Sequence, residues 1–328
     1  MKSKKEMIIL VVLIAVLAAY LFFQKDADRT HYDLPVLPAV NESDITALEV
    51  ITDDATLELR KRDDVWYVEP GRFKADQSRV KPMIDALAGL TLTALVSEAG
   101  NDHRYNLDGE HRIRVRALSH DRELLAVDIG KAAPSYQHTF VKLAEDTSVY
   151  HARENLRSRF ERSRSDLMDK TVLTVNRDNV KQINIARPDK ASMTLRLVAT
   201  PAQGPDDETQ APAQNETEAQ AAEPTWQDAG GNPVPETEVN ELLSTASNLK
   251  CGEFIEDRPK DSYTSPLISL IINDGAERTL HIFEKHDPED TAYPAISSET
   301  DHPFMLSQFT AEDIINLFMN EPGPEEVP

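Results

Sequence analysis

"DDVWYVEPGRFKADQSRVKPMIDALAGL", Asp63–Leu90, and "PTWQDAGGNPVPETEVNELLSTASNL", Pro224–Leu249, each begin beside one of the chain's two tryptophans. In both stretches a tryptophan-bearing apolar run is followed by a turn and then by an amphipathic segment. Val80, Met83, Ile84, Leu87 and Leu90 recur as Val239, Leu242, Leu243, Ala246 and Leu249 at a constant offset of 159. Their spacing, i, i+3, i+4, i+7 and i+10, is the apolar stripe of a helix that buries one face. Ser78 is read as the cap of the first such helix.

The match continues outward. Ile45, Leu48 and Val50 recur as Val180, Ile183 and Ile185, 135 residues on, and "TLEL" at Thr56–Leu59 recurs as "TLRL" at Thr194–Leu197. "DTSVYHA", Asp146–Ala152, matches "DHPFMLS", Asp301–Ser307. Matches in one order along the chain indicate an internal repeat. The Asp-Asp pairs at 53–54 and 63–64, and Asp274-Gly275, fall between alternating apolar positions and read as hairpin turns. The offset grows between the "TLRL" and tryptophan matches. An insert therefore lies in the second copy, Pro201–Pro224, with six acidic residues, no basic ones and no aromatics. Such a composition is expected to stay unpacked.

The expected fold class is α+β: an N-terminal transmembrane helix followed by two tandem repeats of a mainly antiparallel sheet-plus-helix unit. The predicted organisation is a cytoplasmic stub and transmembrane anchor at 1–25 and a tether at 26–41. A first repeat unit follows at 42–175, then a second at 176–320 with its acidic insert at 201–224, and a flexible tail at 321–328. The anchor rests on the uncharged run Met7–Phe23 behind Lys2, Lys4 and Lys5. As a helix it would span roughly 26 Å at about 1.5 Å per residue. The lysine flank would stay cytoplasmic. The expected location is thus the bacterial inner membrane, single-pass, with the bulk of the chain periplasmic.

The chain of 328 residues carries 57 acidic and 35 basic side chains, a net charge of −22, which argues against nucleic acid as a partner. The charge is uneven: residues 1–175 hold 28 acidic and 25 basic groups, and residues 176–328 hold 29 and 10. A single cysteine, Cys251, excludes an intrachain disulfide and a thiolate zinc cluster. No phosphate loop, nucleophile elbow or HExxH motif is present. The nine histidines show no ligand spacing; His281 and His286 would face opposite sides of a strand. No catalytic residue, cofactor or metal is expected, and the tryptophans read as core. The one polar pattern that stands out is "HRIRVRA", where Arg112, Arg114 and Arg116 share a strand face. A second basic cluster includes Arg157 and Arg159. These five arginines are the candidate partner- or ligand-binding residues, and a solvated face balancing nearby acids is the bland reading.

"VSEAGNDHRYNLDGEHRIRV" (Val96–Val115), "VDIGKAAPSYQHTFVKL" (Val127–Leu143), "SVYHA" and "SDLMDKTVL" together resemble a bacterial domain-of-unknown-function family of membrane-anchored proteins. Members of that family are encoded near components of gliding-motility-type ABC transporters. The family tends to read Tyr-Gly-Leu-Asp-x-Pro where this chain has Tyr105-Asn106-Leu107-Asp108-Gly109-Glu110. Asn tolerates a left-handed backbone, so the turn is expected to survive. The resemblance implies a non-enzymatic extracytoplasmic accessory or scaffold protein. Its expected partner is an inner-membrane complex of ABC-type permease and auxiliary subunits. The alternative is an envelope module binding an anionic glycan or lipid through the arginine face.

Overall fold

The computed structural model describes residues 12–14, 16, 33–188, 190–199 and 224–318. It divides into two units, Met1–Leu167 and Met168–Pro328.

In the first unit the strands are β1 (Ala47–Ile51), β2 (Thr56–Arg62), β3 (Val65–Glu69), β4 (Phe73–Lys74), β5 (Leu92–Ser97), β6 (Ile113–Ser119), β7 (Arg122–Ala132), β8 (His138–Leu143) and β9 (Val149–Arg153). They form one antiparallel sheet in the order β4-β3-β2-β1-β6-β7-β8-β9-β5. Helix α1 (Gln77–Ala88) links β4 to β5, and two single turns, α2 (Arg157–Phe160) and α3 (Arg164–Leu167), close the unit. The β2–β3 hairpin turns on Asp63 and Asp64, both at positive φ (48° and 63°), the backbone that a two-residue hairpin matching strand twist requires.

The second unit contains β10 (Thr171–Leu173), β11 (Gln182–Arg187), β12 (Lys190–Val198), β13 (Thr225–Gln227), β14 (Leu249–Lys250), β15 (Glu253–Phe254), β16 (Ile268–Asn273), β17 (Glu277–Ile282), β18 (Ala292–Ser297) and β19 (Phe304–Ser307). Its main sheet runs β13-β12-β11-β16-β17-β18-β19-β15, while β10 pairs with β14 separately. Helix α4 (Glu236–Ala246) lies in sequence between β13 and β14, and α5 (Gln308–Asn316) follows β19. Strand for strand, this is the order of the first sheet without β4.

Each long helix buries the stripe its spacing predicts: Val80, Met83, Ile84 and Leu87 on α1, and Val239, Leu242, Leu243 and Ala246 on α4. Leu90 and Leu249 fall beyond the helix ends, so the i+10 position belongs to the exit of each helix and not to its stripe. Trp66 and Trp226 are both buried. In the second unit Trp226 packs with the α4 stripe, Ile183, Ile272 and Phe304 in one core. Burying each such large aliphatic side chain contributes about 1.5–3 kcal/mol. The cap of α1 is Asp76 and not Ser78; its carboxylate accepts from the Ser78 backbone N–H at 2.9 Å. Helix α4 has Pro235 at its N-cap position and no side-chain cap.

The expected α+β class with a transmembrane helix is corrected. The described structure is mostly antiparallel sheet with few helices, and no described helix is long and apolar enough to cross a membrane. The longest, α1, has 12 residues, about 18 Å at 1.5 Å per residue, against a hydrocarbon core of about 30 Å. The predicted anchor Met7–Phe23 lies outside the described residues except for positions 12–14 and 16. So do most of the predicted acidic insert, residues 201–223, and the tail at 321–328.

Candidate functional site

The arginine strand is where the sequence placed a binding surface. On β6, Arg114 stands directly opposite Asp128 of β7, and Arg116 directly opposite Glu49 of β1. Directly opposed residues on one sheet face lie close enough for opposite charges to meet. Arg114 Nε and Nη2 take the two oxygens of Asp128 at 2.7 and 3.0 Å, a bidentate pair, and Arg112 Nη1 reaches the same carboxylate at 3.3 Å. Asp128 itself is buried. Arg116 bridges Glu123 (2.7 Å) and Glu49 (2.6 Å). The hydrogen bond to Asp128 raises the Arg114 pKa, and that to Glu123 does the same for Arg116, so both stay charged.

Arg157 and Arg159 are placed elsewhere in the unit. Arg157 Nη1 donates to the carbonyls of His111 (2.9 Å) and Gly130 (3.5 Å), and its Nη2 to Glu161. Arg159 donates to the Pro82 carbonyl of α1 and pairs with Glu154 at 2.5 Å. The structure thus brings Arg112, Arg114 and Arg116 together on one face. It engages all five arginines with acids or carbonyls of their own unit.

The loop between β5 and β6 carries a grouping that the sequence reading passed over. A 3₁₀ turn, Asp102–Tyr105, ends at Asn106, which adopts the left-handed conformation (φ 57°, ψ 42°). This turn and its reversal bring His103 round to Asp108. Leu107, buried, anchors the loop. Gly130 of β7 lies beneath it so closely that a Cβ there would collide with the Tyr105 carbonyl. Asp108 Oδ1 accepts from the backbone N–H groups of Glu110 and His111, each at 3.2 Å. The Nδ1 atoms of His103 and His111 approach opposite oxygens of the same carboxylate, at 3.2 and 2.7 Å. The hydrogen bond from His111 leads the effects that hold the Asp108 carboxyl low, at about 2. Among the described residues, one nitrogen of each histidine and one Asp108 oxygen form a group of possible metal donors within 4.8 Å of one another. Spacing of histidines alone does not reveal it, because the Asp between them supplies the geometry and the Asn106 reversal supplies the proximity.

In the second unit the loop between β15 and β16 holds another 3₁₀ turn, Lys260–Ser262, followed by Tyr263. Tyr263 packs on Phe283 at 5.1 Å, as Tyr105 packs on Phe140 at 4.8 Å. Three adjoining open clefts of about 620, 560 and 380 Å³ share Arg258, whose Nη1 lies 3.1 Å from His286 Nε2. A serine–histidine contact exists on the sheet, Ser269 Oγ to His281 Nδ1 at 2.8 Å. Among the described residues no carboxylate orients that ring, and burial lowers the His281 pKa. It lacks the third member that activates a nucleophile. Cys251 is buried, and burial pushes its thiol up to about 11, so it is not a thiolate at neutral pH.

These features define a protein of two antiparallel sheets, the first with a charged face neutralised by its own acids. A family model described as Domain of unknown function (DUF4340) matches residues 66–266. That is more than half of the chain, and the chain belongs to this family. No curated protein and no solved structure matches it.

Proposed function

We propose that this chain is a non-enzymatic accessory or scaffold protein that docks a partner through the outer face of its second sheet. The observation that carries the reading is the character of that face. At its centre are Asn184, Ser269, Ile271, Thr279, His281 and Ile296, paired side by side in register and none of them acidic or basic apart from the histidine. All are half-buried. They sit in a half of the chain with 29 acidic and 10 basic groups. Depletion of charge at the middle of a surface patch is the compositional mark of an interface core. Scaffolding also fits the lack of an oriented nucleophile among the described residues.

The family resemblance suggests the partner: a permease assembly of the gliding-motility-type ABC transporter class, met on its extracytoplasmic side. The competing reading, an anionic glycan or lipid held by the arginine face, draws less support, because Arg112, Arg114 and Arg116 already share Asp128, Glu49 and Glu123.

The test is crosslinked recovery of the tagged full chain from native membranes, run beside Ile271→Arg. Arginine occupies the corresponding place in the first sheet, so the change is compatible with the fold. Recovery of an ABC-type permease with the unaltered chain, lost in the variant while its melting temperature holds, is the expected result. Recovery of the chain alone, or equal recovery with the variant, contradicts the proposal.

A further inference from the structure

We infer that His103, Asp108 and His111 form a binding site for a divalent transition-metal ion of the zinc class. Two imidazole nitrogens and one carboxylate are the donor set of many three-ligand zinc centres. Zn–N distances of about 2.0–2.1 Å and Zn–O distances of about 2.0–2.2 Å imply donor–donor separations of roughly 3–3.5 Å around a tetrahedral ion. Here the two nitrogen–carboxylate separations are 3.2 and 2.7 Å, and all three donors lie within 4.8 Å. An ion binds these donors with each ring proton on Nε2, so that both Nδ1 lone pairs and the carboxylate face it.

Asp108 and the His111 backbone are held before any ion arrives. Asp108 is fixed by the Glu110 and His111 backbone N–H groups, and the His111 carbonyl by Arg157. The left-handed Asn106 and the close seat of the Tyr105 carbonyl over Gly130 set the loop's path. Preorganisation of this kind is what separates a site from a chance cluster. The His103 side chain is 85% exposed and that of His111 44%, so the fourth position opens to solvent, for water or for a donor from a docked partner. Imidazole donors favour zinc, copper, nickel and cobalt over magnesium and calcium. The fold does not itself require the grouping. The loop in the same place in the second unit, residues 255–267, contains no histidine.

Calorimetric titration of the tag-free full chain with zinc chloride at pH 7.5 tests the inference. His103→Ala and His111→Ala are the variants, and cobalt(II) absorption is the second readout. Among the described residues the His103 side chain makes no hydrogen bond besides the one to Asp108, and its backbone carbonyl still accepts from Asn106 in the variant, so a thermal melt should show the fold kept. The expected result is one zinc ion per chain, weakened at least tenfold by either variant. A cobalt(II) visible band should be lost in both, and magnesium should give no heat. No zinc binding by the unaltered chain, or equal binding by the variants through other histidines, overturns the inference and leaves His103 and His111 as hydrogen-bond partners of Asp108 only.

Discussion

Strands β6 and β16 occupy the same place in the two sheets, and their outward residues differ in kind. Arg116 faces Glu49 in the first sheet; Ile271 faces Asn184 in the second. Arg114 faces Asp128; Ser269 faces His281. The inward residues are alike: Val115 and Leu270, Ala117 and Ile272, all buried. The core constrains both copies equally, because a polar group there costs free energy unless it is hydrogen-bonded. The outer face is constrained only by what it meets. One copy has closed its outer face into ion pairs, and the other carries uncharged side chains at the centre of the same face.

Four predictions break or sharpen this comparison. The largest effect should be the same in both units. Trp66→Ala and Trp226→Ala should each cost about 3–5 kcal/mol in urea denaturation, by lost burial and a residual cavity. A mild effect at either would mean that the inner faces are not equivalent. The second effect should differ between units. Asp128→Ala leaves Arg112 and Arg114 without their carboxylate and should cost about 1–2 kcal/mol, a figure held down because both guanidinium groups reach water. Ser269→Ala, in the corresponding second-sheet pair, should cost about 0.5–1 kcal/mol. Equal losses would erase the distinction between the faces.

The helix starts give the third contrast. Asp76→Ala removes a real cap and should cost about 1 kcal/mol. Pro235→Ala should cost under about 1 kcal/mol, through the unfolded chain alone, since Pro235 makes no side-chain cap bond. The smallest effect is pH dependence. Burial lowers the pKa of His151 in the first unit and of His281 in the second below 6.5. A depressed histidine contributes stability that is present above pH 6.5 and lost as pH falls through the folded value. Melting temperature should therefore drop modestly between pH 7.5 and 5.5, and His281→Gln should flatten the second unit's share. A drop unchanged by His281→Gln would place the titration elsewhere.

What the sequence made legible follows from periodicity. Val80, Met83, Ile84 and Leu87 announce a helix because 3.6-residue spacing has one structural meaning. The two tryptophans announce core strands because a large apolar ring must be buried somewhere. The aspartate pair at 63–64 announces a hairpin because few residues tolerate the backbone it needs. Arg116 and Glu49 were another matter: they lie 67 residues apart, and only the β1–β6 register brings them together. A stripe of three arginines therefore supported both a binding surface and a face balancing nearby acids, without showing that the acids stand on the neighbouring strands. His103 and His111 were hidden for a similar reason, since their meeting depends on the Asn106 reversal and the Asp108 cap. The expected transmembrane helix rested on an apolar run and its lysine flank, and no described helix is long and apolar enough to be one.

The most direct test of the central claim is paired photocrosslinking in cells, with a photoreactive residue at position 271 in one strain and at position 114 in another. The account predicts a defined partner, identified as an ABC-type permease component, crosslinked from position 271 and not from position 114. The same partner captured from position 114 alone, or none from either position, would contradict it.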